Sequence, residues 1–387
     1  MFHIATESEI KKGKTSDVYF SRAIAALKSA KLDKHIKAEI RTNSLPLEWQ
    51  WAVLAGIEEA AHFLEGLKIS VSSMEEGTIF EAMTPVLLIE GSYLEFAVAE
   101  TPLLGFLCQA SGIATKAARC RKAAGGRQII SFGARRMHPA IAPMIERSAF
   151  IGGCDGVAGI KSAELIGEVP VGTMPHSLVL LTGDVTEAFK LLDRTAPSEV
   201  KRVAIIDTFA DEKFEAIRIA RAAGKKLFAV RLDTPISRRG DMKQILGEVR
   251  WELDLRGFSN VKLFVSGGID EDEIERLNPL VDAYGIGTAL SNAPTINFSL
   301  DIVEIEGEPV SKRGKESGAK EVLRCESCHK TIIIPMGREK TKCRCGGRYY
   351  YLLKSLIKNG EVVSKLPSAR KIREHVMKQL EKVVSRE

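Results

Sequence analysis

Five short apolar runs decide the fold of this 387-residue chain: QIISFGARR (128–136), VAIIDTF (203–209), LFAVRLDT (227–234), KLFVSGGID (262–270) and DAYGIGTAL (282–290). β-Branched and aromatic residues fill the body of each run. Arg, Asp, Ser-Gly-Gly or Gly-x-Gly stands at its C-terminal end. Helical patterns, DEKFEAIRIARAAG (211–224) and DMKQILGEVRWELDLRG (241–257), separate several of them. Strand, loop and helix in alternation give a parallel sheet whose functional groups collect at the C-terminal strand ends. DGVAGI (155–160) and EVPVGTMP (168–175) add two more strands. Seven is one short of a complete eight-stranded barrel, so the expected fold is α/β, an irregular seven-stranded (β/α) barrel over 125–295.

Outward from the barrel, residues 1–124 read as an α+β domain. DVYFSRAIAALKSAKL (17–32) and LPLEWQWAVLAGIEEAAHFLEGL (45–67) have helical spacing. KISVSS, GTIFEAM and PVLLIEGSY come next as short strands of an antiparallel sheet, and a helical stretch from about 97 leads to Gly125-Gly126. After the barrel, 296–320 reads as a hairpin returning to the N-terminal sheet. The stretch 321–387 reads as a small cysteine module with a basic amphipathic helix.

Composition narrows the function. The chain is 45% hydrophobic in short runs, with no run near the roughly 18 apolar residues of a membrane span. Its start lacks a signal-peptide core, so a cytoplasmic protein without a membrane partner is expected. A net charge of +6 with interleaved signs does not by itself call for nucleic acid. Eleven Asn and Gln against 56 Lys and Arg and 50 Asp and Glu suit a thermophilic source.

Seven cysteines divide unevenly. Cys108, Cys120 and Cys154 sit among apolar neighbours and read as small buried thiols. Cys325-x-x-Cys328 and Cys343-x-Cys345 form two close pairs that suit structural zinc held by four thiolates; a disulfide pair and a catalytic metal are the alternatives. Gly346 and Gly347 free the backbone to wrap an ion. His329 reads as a surface residue.

The strand ends carry the chemistry. In GTMPHS (172–177), His176 follows a strand on a turn shaped by Gly and Pro, with Ser177 beside it. Arg135, Arg136 and His138 follow the first strand, and the arginine pair could clamp a diphosphate or carboxylate. Ser266-Gly267-Gly268 and Gly285-x-Gly287-Thr288 end the last two strands, where glycine lets backbone N–H groups approach a phosphate beside a helix start. Asp207 and Asp233 could hold Mg²⁺ or ribose hydroxyls, or could cap helices. Together these groups describe a phosphorylated sugar with a second, highly charged group.

With FGARR, GTMPHS, DTF, RLDT, SGGID and YGIGT in order, preceded by Asp17-x-Tyr19, TPVLLIEG and ETPLLGFL, the chain resembles the nicotinate phosphoribosyltransferases. The cysteine module is similar to the zinc knuckle of archaeal-type members. The resemblance implies transfer of 5-phosphoribosyl from phosphoribosyl diphosphate to nicotinate, with Mg²⁺, in a homodimer or larger assembly. Phe132 matches the aromatic that stacks on the pyridine ring, and Tyr19 its opposite face, contributed by a neighbouring subunit. Arg135 matches a base and diphosphate contact, and Asp155 an acidic residue near the base. Arg231 and Asp233 match ribose- and phosphate-side contacts, Asp207 a diphosphate or Mg²⁺ contact, and the glycine turns the 5′-phosphate loops. His176 matches the histidine that ATP phosphorylates in members coupling ATP hydrolysis to transfer. RLDT is followed by PISRRG where many relatives have a Ser-Gly turn, which leaves Arg238 and Arg239 without an assigned contact. The alternatives are a decarboxylating quinolinate phosphoribosyltransferase and a zinc-knuckle nucleic-acid-binding protein with a degenerate barrel.

Overall fold

The structure is a computed structural model describing residues 2–238 and 240–383. The chain divides into two compact units, Met1–Thr115 with Pro294–Glu387, and Lys116–Ala293. The division falls inside the long helix Glu100–Ala124.

In the second unit the parallel strands are β1 (Gln128–Ser131), β2 (Gly156–Val157), β3 (Arg202–Ile205), β4 (Leu227–Leu232), β5 (Lys262–Ser266) and β6 (Ala283–Ile286). They lie in the order β2-β1-β6-β5-β4-β3, a half-barrel in which every pairing is parallel. Ile130, Val203, Ala229 and Phe264 pack into one apolar cluster with Phe132, Val171 and Phe228. The expected strand 168–175 forms no ladder. Pro170 lacks an N–H, and the segment is tied by single bonds, Val171 N–H to the Val157 carbonyl at 2.8 Å and Met174 N–H to the Val203 carbonyl at 3.5 Å. It thus runs from one outer strand, β2, to the other, β3.

The first unit holds a seven-stranded sheet in which His35–Thr42 pairs antiparallel with both Leu87–Ser92 and Phe298–Ile305. The strand after the barrel therefore joins the N-terminal sheet, and so does Lys354–Lys358 from the C-terminal region, which pairs with Ile69–Ser73. The stretch 45–67 is not one helix. A 3₁₀ turn at Pro46–Glu48, a short strand Ala52–Val53 and a helix from Ile57 to Leu64 divide it, with Gly56 at φ +91° breaking the run. The helical stretch Tyr93–Ala124 is long and apolar enough to cross a membrane by length and composition, which the run of residues did not suggest. Burial accounts for that hydropathy: Leu103, Leu107, Ile113, Ala114 and Ala117 are wholly buried.

Candidate active site at the strand ends

Five of the polar residues named from the sequence, His176, Asp207, Arg231, Asp233 and Ser266, meet at the C-terminal ends of β3, β4 and β5. His176, the first residue of helix His176–Thr182, places Nε2 3.1 Å from Asp207 Oδ1. The Asp207 side chain is 1% exposed and the His176 side chain 40%. An ionised carboxylate only accepts, so Nε2 carries a proton toward Asp207, and in the neutral ring the lone pair lies on Nδ1. Burial pushes the Asp207 carboxyl above the usual range, and the neighbouring histidine opposes that shift.

Asp207 Oδ2 accepts the backbone N–H of Asp233 at 3.2 Å. Asp233 accepts the Ser266 hydroxyl at 2.8 Å and pairs with Arg231 Nη2 at 3.2 Å. Arg231 also donates to Ser266 Oγ at 2.9 Å and to Thr173 Oγ1 at 2.6 Å. One network therefore links β3, β4, β5 and the 168–175 segment. The Arg231 guanidinium lies 5.2 Å from the Phe132 ring centroid, a cation–π distance. Phe132 lies 6.0 Å from Phe264. Burial lowers the Arg231 pKa, Asp233 and Asp207 pull it up, and Arg135 pushes it down. Neither Asp207 nor Asp233 caps a helix; Asp184, Asp211, Asp241 and Asp270 do that.

Gly267 and Gly268 are exposed at φ +88° and +71°, a left-handed turn that glycine adopts without steric cost. The helix start expected to assist them is already occupied, because Asp270 Oδ1 accepts Glu273 N–H at 3.0 Å. Gly287 caps the short helix Thr288–Ser291, with Thr288 exposed as its first residue. Gly285 serves another purpose. A Cβ there would lie 2.4 Å from Phe132 Cε2, so the missing side chain is what seats the ring.

Other residues stand elsewhere. Arg135 and Arg136 are exposed on a 3₁₀ turn after β1. His138 Nδ1 accepts Ala140 N–H at 3.2 Å and caps the next turn, a structural use of that ring nitrogen. Ser177 is exposed beside His176. Asp155 contradicts its expected place near a base. It precedes β2 at the opposite end of the sheet, where Oδ2 accepts Arg121 Nη1 at 2.9 Å and Ile129 N–H at 2.8 Å. In the first unit, Tyr19 is 57% exposed on helix Val18–Ser29. Arg239 lies outside the described residues.

Three hydroxyls were not legible as site residues in the sequence. Thr173 holds Arg231. Ser131 Oγ and Thr208 Oγ1, directly before Phe132 and directly after Asp207, are buried with no hydrogen-bond partner among the described residues. Their signal was position alone, the last residue of a strand run and the neighbour of a strand-end acid.

Cys325, Cys328, Cys343 and Cys345 bring their sulfurs within 4.8 Å of one another. The Cys325–Cys345 and Cys328–Cys343 separations are 3.5 and 3.7 Å. Thiolates on a tetrahedral zinc with bonds of about 2.3 Å stand about 3.8 Å apart, so the cluster could bind that ion. A Cβ on Gly347 would meet Cys325 Sγ at 2.7 Å, so the wrap needs glycine there. The backbone N–H of Cys345 and a hydrogen bond with Tyr349 draw the Cys343 thiol down to about 6.

The half-barrel, with its polar network at the strand ends, is a fold of the α/β class. The family described as quinolinate phosphoribosyl transferase, N-terminal domain, matches residues 17–111, and its C-terminal domain matches 113–301. A nicotinate phosphoribosyltransferase of Mycobacterium tuberculosis is 30% identical over 359 residues, covering 81% of this chain and 79% of that protein. The crystal structure of a nicotinate-nucleotide pyrophosphorylase from Pyrococcus furiosus is 53% identical with a TM-score of 0.97, covering 98% of each chain. Human nicotinic acid phosphoribosyltransferase shares the fold at 18% identity and a TM-score of 0.76, covering 95% of this chain and 93% of that one. The chain belongs to the nicotinate phosphoribosyltransferase family.

Proposed function

We propose that this protein transfers 5-phosphoribosyl from phosphoribosyl diphosphate to the ring nitrogen of nicotinate, releasing diphosphate. The observation carrying the reading is the strand-end network of Asp207, Asp233, Ser266 and Arg231 beside Phe132. The bond to diphosphate breaks with positive charge growing on the ribose. Fixed carboxylates near that sugar and cations near the leaving group lower the barrier. Phe132 supplies a flat face against which the pyridine ring is oriented toward the anomeric carbon. Arg135 and Arg136 meet the diphosphate, and the glycine turn at 267–268 meets the 5′-phosphate. Ser131 and Thr208 offer their orphaned hydroxyls to the substrate.

Asp207 and Asp233 fit Mg²⁺, which takes one or two carboxylates together with substrate phosphates and waters. Each carboxylate oxygen here uses one lone pair on a protein donor and retains another. The metal would offset diphosphate charge. His176, oriented by Asp207 with Nδ1 left as a nucleophile, is the residue through which ATP cleavage couples to transfer. Zinc on the four cysteines is structural, because four thiolates leave no open position. Tyr19 faces the base from a second copy of the chain, which makes the active assembly at least a homodimer. The 168–175 segment serves as the seventh, irregular strand of the barrel.

The description of the matching family keeps quinolinate in view as a second base. A product assay separates the two, with phosphoribosyl diphosphate and Mg²⁺ supplied with nicotinate, nicotinamide or quinolinate, each with and without ATP. Nicotinate mononucleotide from nicotinate, increased by ATP, is expected. Turnover of quinolinate alone, with release of carbon dioxide, would overturn the assignment.

A further inference from the structure

The first unit contains a cavity of about 550 Å³ that the transfer reaction does not use. Its walls come from the short strand Ile79–Phe80, the cysteine module and the C-terminal helix Ala369–Val383. That volume lies within the range of small-molecule sites.

The walls are fixed. Gln379, on the helix, accepts Ile79 N–H at 3.0 Å and donates to the Gly77 carbonyl at 2.8 Å. Ile372, Val376 and Leu380 bury the same helix face. At the cavity wall, Arg324 donates to the Ile79 carbonyl at 2.6 Å, to Gln379 Oε1 at 3.2 Å and to Thr331 Oγ1 at 3.2 Å. All three acceptors are neutral. They take three of the five guanidinium protons without cancelling the charge, and burial lowers the Arg324 pKa while the charges of Tyr350 and Glu81 and a hydrogen bond with Tyr350 raise it. A desolvated cation held by neutral groups favours an incoming anion.

The rim strengthens that preference. Lys354, Lys378 and Lys382 join Arg324 against the carboxylates Glu75 and Glu81, and Lys354 is paired with Glu75 at 2.8 Å. The lining is also aromatic, and Tyr350, 43% exposed, offers a ring that can meet a planar base. Gln50 adds an amide able to donate and accept. We infer that this cavity binds a nucleotide, its phosphate held by Arg324, Lys378 and Lys382 and its base set against Tyr350. The site is separate from the strand-end network and does not depend on the transferase reading.

Photolabelling of the full-length protein with 8-azidoadenosine 5′-monophosphate, in saturating phosphoribosyl diphosphate and Mg²⁺, tests this. Label is expected on peptides spanning 321–383, with adenosine monophosphate competing at least tenfold better than inorganic phosphate. Lys378→Glu with Lys382→Glu, both exposed on the helix, should lower that labelling at least tenfold and leave phosphoribosyl transfer unchanged. Tyr350→Leu should weaken competition by adenosine monophosphate and leave competition by inorganic phosphate alone. Label confined to 116–293, labelling that survives the double substitution, or equal competition by inorganic phosphate would overturn the site. A ten-nucleotide RNA competing more strongly than the mononucleotide would reassign the cavity to nucleic acid and overturn the proposal as well.

Discussion

The half-barrel carries aspartates at both ends of its strands, and the two sets do opposite things. At the N-terminal end, Asp155 stands directly before β2 and Asp282 directly before β6. Each clasps a residue of the adjacent strand twice. Asp155 donates its N–H to the Ile129 carbonyl and accepts Ile129 N–H on Oδ2; Asp282 does the same with Leu263. Each also meets a cation, Arg121 or Lys262. These acids start ladders. At the C-terminal end, Asp207 and Asp233 lie just after β3 and β4; their side-chain partners are His176, Arg231 and Ser266, and Asp207 also accepts the Asp233 N–H. Side chains able to act on a ligand surround them. The same residue type, shifted from one end of a strand to the other, changes from clasping the neighbouring strand to meeting polar side chains able to act on a ligand.

That contrast can be broken by substitution. Asp233→Asn should keep the fold, measured by circular dichroism, and lower kcat/KM by roughly 10²–10³-fold, the range for removing a preorganised charge. A loss under fivefold would move Asp233 out of the site. In His176→Ala, transfer without ATP should persist while stimulation by ATP disappears; ATP-coupled turnover surviving in that variant would show that another residue takes the phosphoryl group. Asp155→Ala should do the reverse of Asp233→Asn. It strips the partner from buried Arg121 and should cost about 2–3 kcal/mol by denaturant titration, below the roughly 3–5 kcal/mol of a fully buried pair because Asp155 keeps a quarter of its side chain in solvent. Turnover per folded molecule should not change, and a hundredfold loss would return Asp155 to the base. Gly285→Ala is the smallest change. Its methyl must push the Phe132 ring aside, so KM for nicotinate should rise about tenfold with kcat less affected, a cost of about 1.4 kcal/mol in binding.

Much of the strand-end chemistry was legible because parallel strands announce themselves as apolar runs, and the residues just after each run must lie at one end of the sheet. Asp207 and Asp233 obey that rule; Arg231 and Ser266 are among the last residues of β4 and β5, and His176 follows a segment that forms no ladder. Asp155 did not obey it, since an acid in the loop before a strand looks the same in sequence as an acid after one until the pairing is known. Gly285 was misread for a related reason. Its neighbours suggest a phosphate turn, yet it lies inside β6, and only the approach of Phe132 explains it. The 45–67 stretch has helical spacing, but Gly56 in the left-handed region and the pairing of Ala52–Val53 with Ile79–Phe80 override it. In the cysteine module, spacing was informative because four thiols within 21 positions have few ways to be placed.

The segment from 168 to 175 meets the strands through two isolated backbone bonds and the Arg231–Thr173 side-chain bond, and helix His176–Thr182 hangs directly from it. Its amides should therefore trade hydrogen for deuterium well before those of β4 and β5, which are paired on both sides. His176 is thus mounted on a seam outside the ladders, where the backbone can shift without tearing one.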